Sequence, residues 1–130
     1  MGARLHRKPK IMVVDDSPIV CETVSMILED RGYDVVTVDN VFSFAQALST
    51  HKPDLVLIDV MMPAMKGDKL VEIAQRHDSE ACPMVLFSDQ SVHDLERLAA
   101  ECGAAGYIQK TSNSDLLALC VASYLAKSGK

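Results

Sequence analysis

The chain has no tryptophan, only 5% aromatic residues, and no apolar run approaching the roughly 20 residues that cross a bilayer. Its first residues, MGARLHRKPK, lack the apolar centre of a secretory signal, and His6 stands where an N-myristoylation motif requires Ser or Thr. Export, membrane insertion and lipid anchoring are not expected, and the cytoplasm is the expected setting. A basic excess is missing too. The net charge is −5, which argues against direct nucleic-acid binding, and the one basic cluster, Arg4, Arg7, Lys8 and Lys10, reads as a solvated N-terminal arm. Cys21, Cys82, Cys102 and Cys120 show no C-x-x-C spacing, and His6, His51, His77 and His93 show none that suits zinc. Thiols buried as small hydrophobes in a reducing compartment are expected instead. No glycine-rich loop follows the first apolar run, which removes a flavin or nucleotide-binding module.

What is present is a single-domain quantity of core: 130 residues, 48% of them hydrophobic. Short apolar runs recur as KIMVV (10–14), DVVTV (34–38), LVLI (55–58), MVLF (84–87) and GYIQ (106–109). Most are too continuously apolar for a strand wet on one face, as in a parallel sheet covered on both sides. Helical patterns alternate with them. The first opens with Ser17 and Pro18, carries Ile19, Val20, Val24, Ile27 and Leu28, and stops at Gly32. A second, about 41–50, carries Phe42, Phe44, Ala45 and Leu48; a third, about 67–77, carries Leu70, Ile73 and Ala74. The fourth has Ser91 as cap, answered by Asp94, with Val92, Leu95, Ala99 and Cys102 on one side and Gly103 as its stop. The last runs from about Ser114 to Lys127. The expectation is a doubly wound α/β domain of five parallel strands and five helices over residues 10–127, with an arm at 1–9 and a tail at 128–130.

In an open parallel sheet the ligand site gathers beyond the carboxyl ends of the strands. Those positions are polar here: Asp15 and Asp16 after the first strand, Asp59 after the third, Ser88 after the fourth and Lys110 after the fifth. Singly, Asp16 or Ser17 reads as a helix cap, Ser88 as a turn residue and Lys110 as a solvated lysine. Asp59 is harder to explain so, because it ends the most apolar strand, where an isolated carboxylate is costly. Taken jointly, the residues place three carboxylates, a hydroxyl and an ammonium on one rim. Carboxylates this close raise each other's pKa unless a cation relieves them, and Mg²⁺ with its oxygen ligands suits the need. A carboxylate nucleophile, a hard metal and a cation for phosphate oxygens make an aspartyl-phosphate site.

VVDDS, LIDVMMPAMKG, LFS and GYIQK together resemble the receiver domain of bacterial two-component response regulators, over about residues 10–127. The resemblance implies a flavodoxin-like sheet in the order 2-1-3-4-5. It implies that Asp59 is the phosphoacceptor, that Asp15, Asp16 and the Met61 backbone carbonyl join it in holding Mg²⁺, and that Ser88 and Lys110 contact the phosphoryl oxygens. Ser88 and the aromatic Tyr107 are then the switch residues, and Pro63 and Gly67 shape the loop after Asp59. The implied phosphate source is a histidine kinase or phosphotransfer protein. The implied output is contact of the fourth helix, fifth strand and fifth helix with an unidentified downstream protein. Catalysis is confined to the domain's own phosphorylation and dephosphorylation.

Departures from the family pattern are local. Thr111 follows Lys110 where proline is common, so a trans bond is expected there. Asp89 replaces a small residue, either repelling the phosphoryl group or pointing to solvent. Met61 and Gln90 occupy positions that tune self-hydrolysis in the family. The last helix has no charge from Leu116 to Ala126; Leu116, Leu117, Cys120, Val121, Tyr124 and Leu125 form one half, and Ala118, Ala122 and Ala126 the other. That leaves a wide core face with an alanine back, or a surface for self-association. Among rivals, a receiver excised from a larger regulator or hybrid kinase fits the same residues. A dehalogenase-type phosphatase needs a second Asp where Met61 stands, and a phosphorylation-independent receiver would not keep every acid.

Overall fold

The computed structural model describes residues 8–77 and 82–129; Arg4, Arg7 and His6 of the expected arm lie outside them. The elements are β1 (Lys10–Val14), α1 (Pro18–Asp30), β2 (Asp34–Val38), a 3₁₀ turn (Val41–Ser43), α2 (Phe44–His51), β3 (Leu55–Asp59), α3 (Gly67–His77), β4 (Met84–Ser88), α4 (Val92–Cys102), β5 (Gly106–Gln109) and α5 (Ser114–Gly129). Every strand pairing is parallel, and the order is β2-β1-β3-β4-β5. The expected topology holds, and the register sets β1 beside β3, with Val14 opposite Ile58.

The strands are apolar throughout because both faces are covered. Met12, Val14, Val56, Ile58, Met84 and Leu86 pack with residues of α2, α3 and α4; Ile11, Val13, Leu55, Leu57, Val85 and Phe87 pack with Val24 and Leu28 of α1 and Leu117 and Val121 of α5. This is the two-residue alternation of a strand, with each phase meeting its own layer of helices. All residues of β3 and β4 are buried, so their polar ends are fixed by the most constrained part of the molecule.

Helix ends follow the local chemistry. The Ser17 hydroxyl accepts the Val20 N–H at 3.3 Å with Pro18 in the first turn, and the Ser91 hydroxyl accepts the Asp94 N–H at 3.1 Å. At the start of α5 the cap is Asn113, whose side chain accepts the Leu116 N–H at 3.1 Å. Four expectations are corrected. The segment from 41 opens as a 3₁₀ turn because Asn40 caps it by accepting the Ser43 N–H at 2.9 Å, and this turns Phe42 out to solvent. Ile19 and Val92, each close to the start of its helix, are exposed, and Cys21 takes the inward place on α1. On α5, Ala118 is buried whereas Leu116 and Leu119 are exposed: the helix presents the face centred on Leu117, Ala118 and Val121 to the sheet, a rotation away from the expected one. The same helix continues to Gly129, past the expected boundary at 127.

One contact in this frame bears directly on the rim. Gly67 N–H donates to Val60 C=O at 2.9 Å, and a Cβ on Gly67 would lie 2.1 Å from the Asp59 carbonyl oxygen and 2.8 Å from Ile58 Cγ2. The backbone atom cannot move aside without shifting the end of β3. Gly67→Ala is therefore expected to lower stability by about 1–3 kcal/mol, the usual cost of overpacking, read as a lower urea midpoint at constant slope.

Candidate functional site

The register brings the expected residues to one place. Asp15, Asp16 and Asp59 each offer a carboxylate oxygen, and these oxygens all lie within 4.8 Å of one another. Asp15 is 1% and Asp59 5% exposed, whereas Asp16 faces solvent. Lys110 reaches in from the end of β5: its Nζ is 2.9 Å from Asp15 Oδ2 and 3.3 Å from Asp59 Oδ1, and 5.5 Å from the centroid of the Phe87 ring. The Lys110 chain is thus held between two buried anions and an aromatic face.

Asp15 is anchored at every polar atom but one. Its N–H donates to Val38 C=O at 3.0 Å, its Oδ1 accepts the Ser17 N–H at 2.9 Å, and its carbonyl accepts the Cys21 thiol at 3.2 Å. Oδ2 meets Lys110 as an ion pair but receives no well-aligned hydrogen bond, so a buried carboxylate oxygen keeps open lone pairs toward the notch. Asp59 Oδ1 takes both Lys110 and, at 3.4 Å, the Met61 N–H; Oδ2 takes neither. Open oxygens from three converging carboxylates fit a hard divalent cation.

Electrostatics follow from burial. Desolvation, then the Asp15 charge, push the Asp59 carboxyl above the ordinary carboxylate range, and Lys110 offsets this only in part. Burial alone would pull the Lys110 ammonium down, but its contacts with Asp15 and then Asp59 outweigh that and hold it above its ordinary value. The Cys21 thiol is raised by burial and by Asp15, which leaves it a neutral donor to the Asp15 carbonyl.

The remaining expected residues surround this notch. Ser88 is 1% exposed, and its hydroxyl accepts the Gln90 N–H at 3.2 Å; its carbonyl accepts the Lys110 N–H at 2.7 Å. Asp89 points to solvent. Tyr107 is half-buried against the layer of α2, α3 and α4, and the Met61 side chain is exposed beside Asp59. No peptide bond among the described residues is cis, so Lys110–Thr111 is trans as expected. Sequence reasoning did not single out Phe87, Cys21 or Gln109, whose side-chain amide donates to the Gln90 carbonyl at 2.9 Å. Their roles depend on strand register and helix rotation, which one sequence does not display.

The response regulator receiver domain profile matches residues 11–122. The chain belongs to this family. Among curated proteins, the receiver is 31% identical over 119 residues to the sensor histidine kinase GacS of Pseudomonas protegens, covering 88% of this chain and 13% of that protein. It is 31% identical over 103 residues to the DNA-binding response regulator MtrA of Mycolicibacterium smegmatis, covering 79% of this chain and 44% of that one. The receiver thus spans half or less of the curated relatives it matches here. Among solved structures, the chemotaxis response regulator CheY4 of Vibrio cholerae shares the fold, with a TM-score of 0.82 at 24% identity over 91% of this chain and 99% of that one. A LuxR-family two-component response regulator from Aurantimonas superposes with a TM-score of 0.83 at 28% identity, over 93% of this chain and 87% of that one.

The raised Asp59 carboxyl gives a stability prediction with a definite sign. An unfolded aspartate ionises at a lower pH than this buried one, so the folded receiver loses relative stability as pH rises through the interval between the two pKa values. In metal-free buffer, Asp59→Asn is expected to melt at a higher temperature than the parent at neutral pH. The gap should close as pH falls below the ordinary carboxylate range; parallel melting curves at every pH would contradict it.

Proposed function

We propose that this receiver accepts a phosphoryl group on Asp59 from a histidine kinase or phosphotransfer protein and transmits the change through protein contact. The observation that carries this reading is the Lys110 ammonium lying between buried Asp15 and Asp59, with Asp16 completing the acidic notch. Such a notch combines a shielded carboxylate nucleophile with a fixed positive charge where a phosphoryl group would arrive.

Asp59 Oδ2, the oxygen that neither Lys110 nor Met61 holds, is the nucleophile. It attacks the donor's phosphorus in line; the new Asp59 O–P bond forms as the bond from phosphorus to the donor's leaving nitrogen or oxygen breaks, and the leaving group takes its electron pair. Asp15, Asp16, Asp59 and the Met61 backbone carbonyl would hold Mg²⁺, which supplies charge neutralisation for the phosphoryl oxygens when bound. Lys110 contributes a second positive charge without reorganisation, because Asp15, Asp59 and Phe87 already fix its position. Little covalent work falls to the other residues, and catalysis is chiefly positioning.

Transmission begins at Ser88. Its hydroxyl accepts the Gln90 N–H while its own proton stays available to donate, so a bond to a phosphoryl oxygen need not break the turn. Movement of Ser88 carries Gln90 with it, and Gln109 ties the Gln90 carbonyl to β5. Tyr107 fills the vacated space and biases the surface of α4, β5 and α5 between two states. Gln90, partly buried and two residues past Ser88, is the candidate for tuning release.

Incubation with Mg²⁺ and acetyl phosphate, followed by mass measurement and peptide mapping, is expected to place one phosphoryl group on Asp59, with none on Asp59→Asn. Lys110→Ala should slow labelling by about a hundredfold, the scale on which a preorganised charge acts. Labelling of Asp59→Asn at the parental rate would refute the assignment. In the labelled protein, Gln90→Ala is expected to alter the rate of phosphate release, and an unchanged rate removes its tuning role.

A further inference from the structure

β5 is an edge strand, so part of its backbone has no strand to bond. The Lys110 N–H reaches Ser88 C=O at 2.7 Å on the inner side. With a strand's two-residue period, Ile108 also faces β4, whereas Tyr107 and Gln109 turn their backbone groups to the outer edge. Tyr107 does not leave its groups bare. Its N–H donates to the Tyr124 hydroxyl at 3.0 Å, and the same hydroxyl donates to the Tyr107 carbonyl at 3.0 Å. One side-chain oxygen does at this residue what a sixth strand would do.

The neighbouring sequence makes room for it. A Cβ on Gly106 would lie 2.1 Å from the Tyr124 hydroxyl oxygen and 2.7 Å from Cε1 and Cζ, so only glycine admits the ring in this position. The ring itself packs with the layer of α1 and α5, and Lys127 Nζ lies 5.3 Å from its centroid. The Tyr107 side chain belongs to the opposite layer, with α2, α3 and α4. Backbone and side chain of Tyr107 are therefore held by different layers of the molecule.

We infer that Tyr124 is a positioning residue for the switch: it pins the Tyr107 backbone from α5, so that a change at the rim is expressed as rotation of the Tyr107 side chain against α4. A phenol is required because a single group must both accept from the N–H and donate to the carbonyl, and no apolar ring can do either. The fifth helix then acts as a fixed support for β5. The inference rests on the receiver reading and adds a residue to its output path.

The test is residue-resolved amide exchange, with tyrosine ring resonances recorded before and after treatment with Mg²⁺ and acetyl phosphate. Tyr124→Phe keeps the ring and removes both hydrogen bonds. It should raise exchange of the Tyr107 amide by about tenfold while leaving Ile108 and the β4 amides unchanged. Gly106→Ala, which displaces an intact Tyr124, should reproduce the effect by a second route. After phosphorylation, the parental Tyr107 ring resonances should move while its amide stays protected, and in Tyr124→Phe the amide should lose protection further. Equal Tyr107 protection in parent and Tyr124→Phe overturns the inference, and so does uniform loosening of β4 and β5, which would indicate a structural role only. Peptide mapping of the same samples keeps the two readings apart: an unlabelled parent counts against phosphorylation of Asp59, while exchange in the untreated proteins still decides on Tyr124.

Discussion

A partly buried positive charge between two buried negative ones is the constraint on which this receiver is organised. Asp15 and Asp59 are too enclosed to be stable as an unrelieved pair, and Lys110 supplies the relief from a different strand. The arrangement demands that the ends of β1, β3 and β5 be held in register, and the sheet order does this. β1 and β3 are neighbours, which sets the two carboxylates side by side; β5 lies beyond β4, far enough out that only a long side chain can return to the notch. Lysine has that reach. The aromatic ring of Phe87, at the end of the intervening strand, lies beneath its path.

The same strand ends join the notch to the outer surface. Ser88 is bonded through its carbonyl to Lys110 and through its hydroxyl to Gln90, and Gln109 returns from β5 to the Gln90 carbonyl. Residues on either side of the proposed nucleophile's rim therefore form one connected set of hydrogen bonds. A small displacement of Ser88 meets resistance along β5 rather than dissipating in a loose loop. Two of the three bonds need a particular side chain, the Ser88 hydroxyl and the Gln109 amide, and only the Lys110–Ser88 bond is carried by the backbone alone.

Much of this was legible in the sequence, for physical reasons that differ by level. Continuous apolar runs in β3 and β4 are possible only where both faces are covered, and that reveals a parallel sheet before any coordinates. Asp15, Asp16, Asp59, Ser88 and Lys110 were visible because each follows such a run, and a parallel sheet collects those positions at one end. Less legible were helix rotations. Ala118 and Leu116 exchange their expected environments because the stretch of α5 from Leu116 to Ala126 has no charged residue to orient it, so packing chooses the face. Phe42 misleads for a related reason: Asn40 caps a 3₁₀ turn, which shifts the angular position of every residue before Phe44. Tyr124 was read as core, and half of that is right. Its ring is in the core layer, while its hydroxyl serves a strand edge that no sequence period marks.

The relatives fall into two kinds, a sensor kinase and a DNA-binding regulator, of which this receiver matches a minor share of the length. The structure gives a reason why one module can serve such different settings. The carboxylates and the ammonium of the notch come from strand ends, whereas the exposed apolar residues Ile19 and Met26 of α1, Val92 of α4, and Leu116 and Leu119 of α5 lie on helices. A sequence can change these exposed helix positions at little cost to the charge balance among Asp15, Asp59 and Lys110. The reverse does not hold: removing Lys110 leaves two buried carboxylates facing each other without relief, whatever surrounds the module.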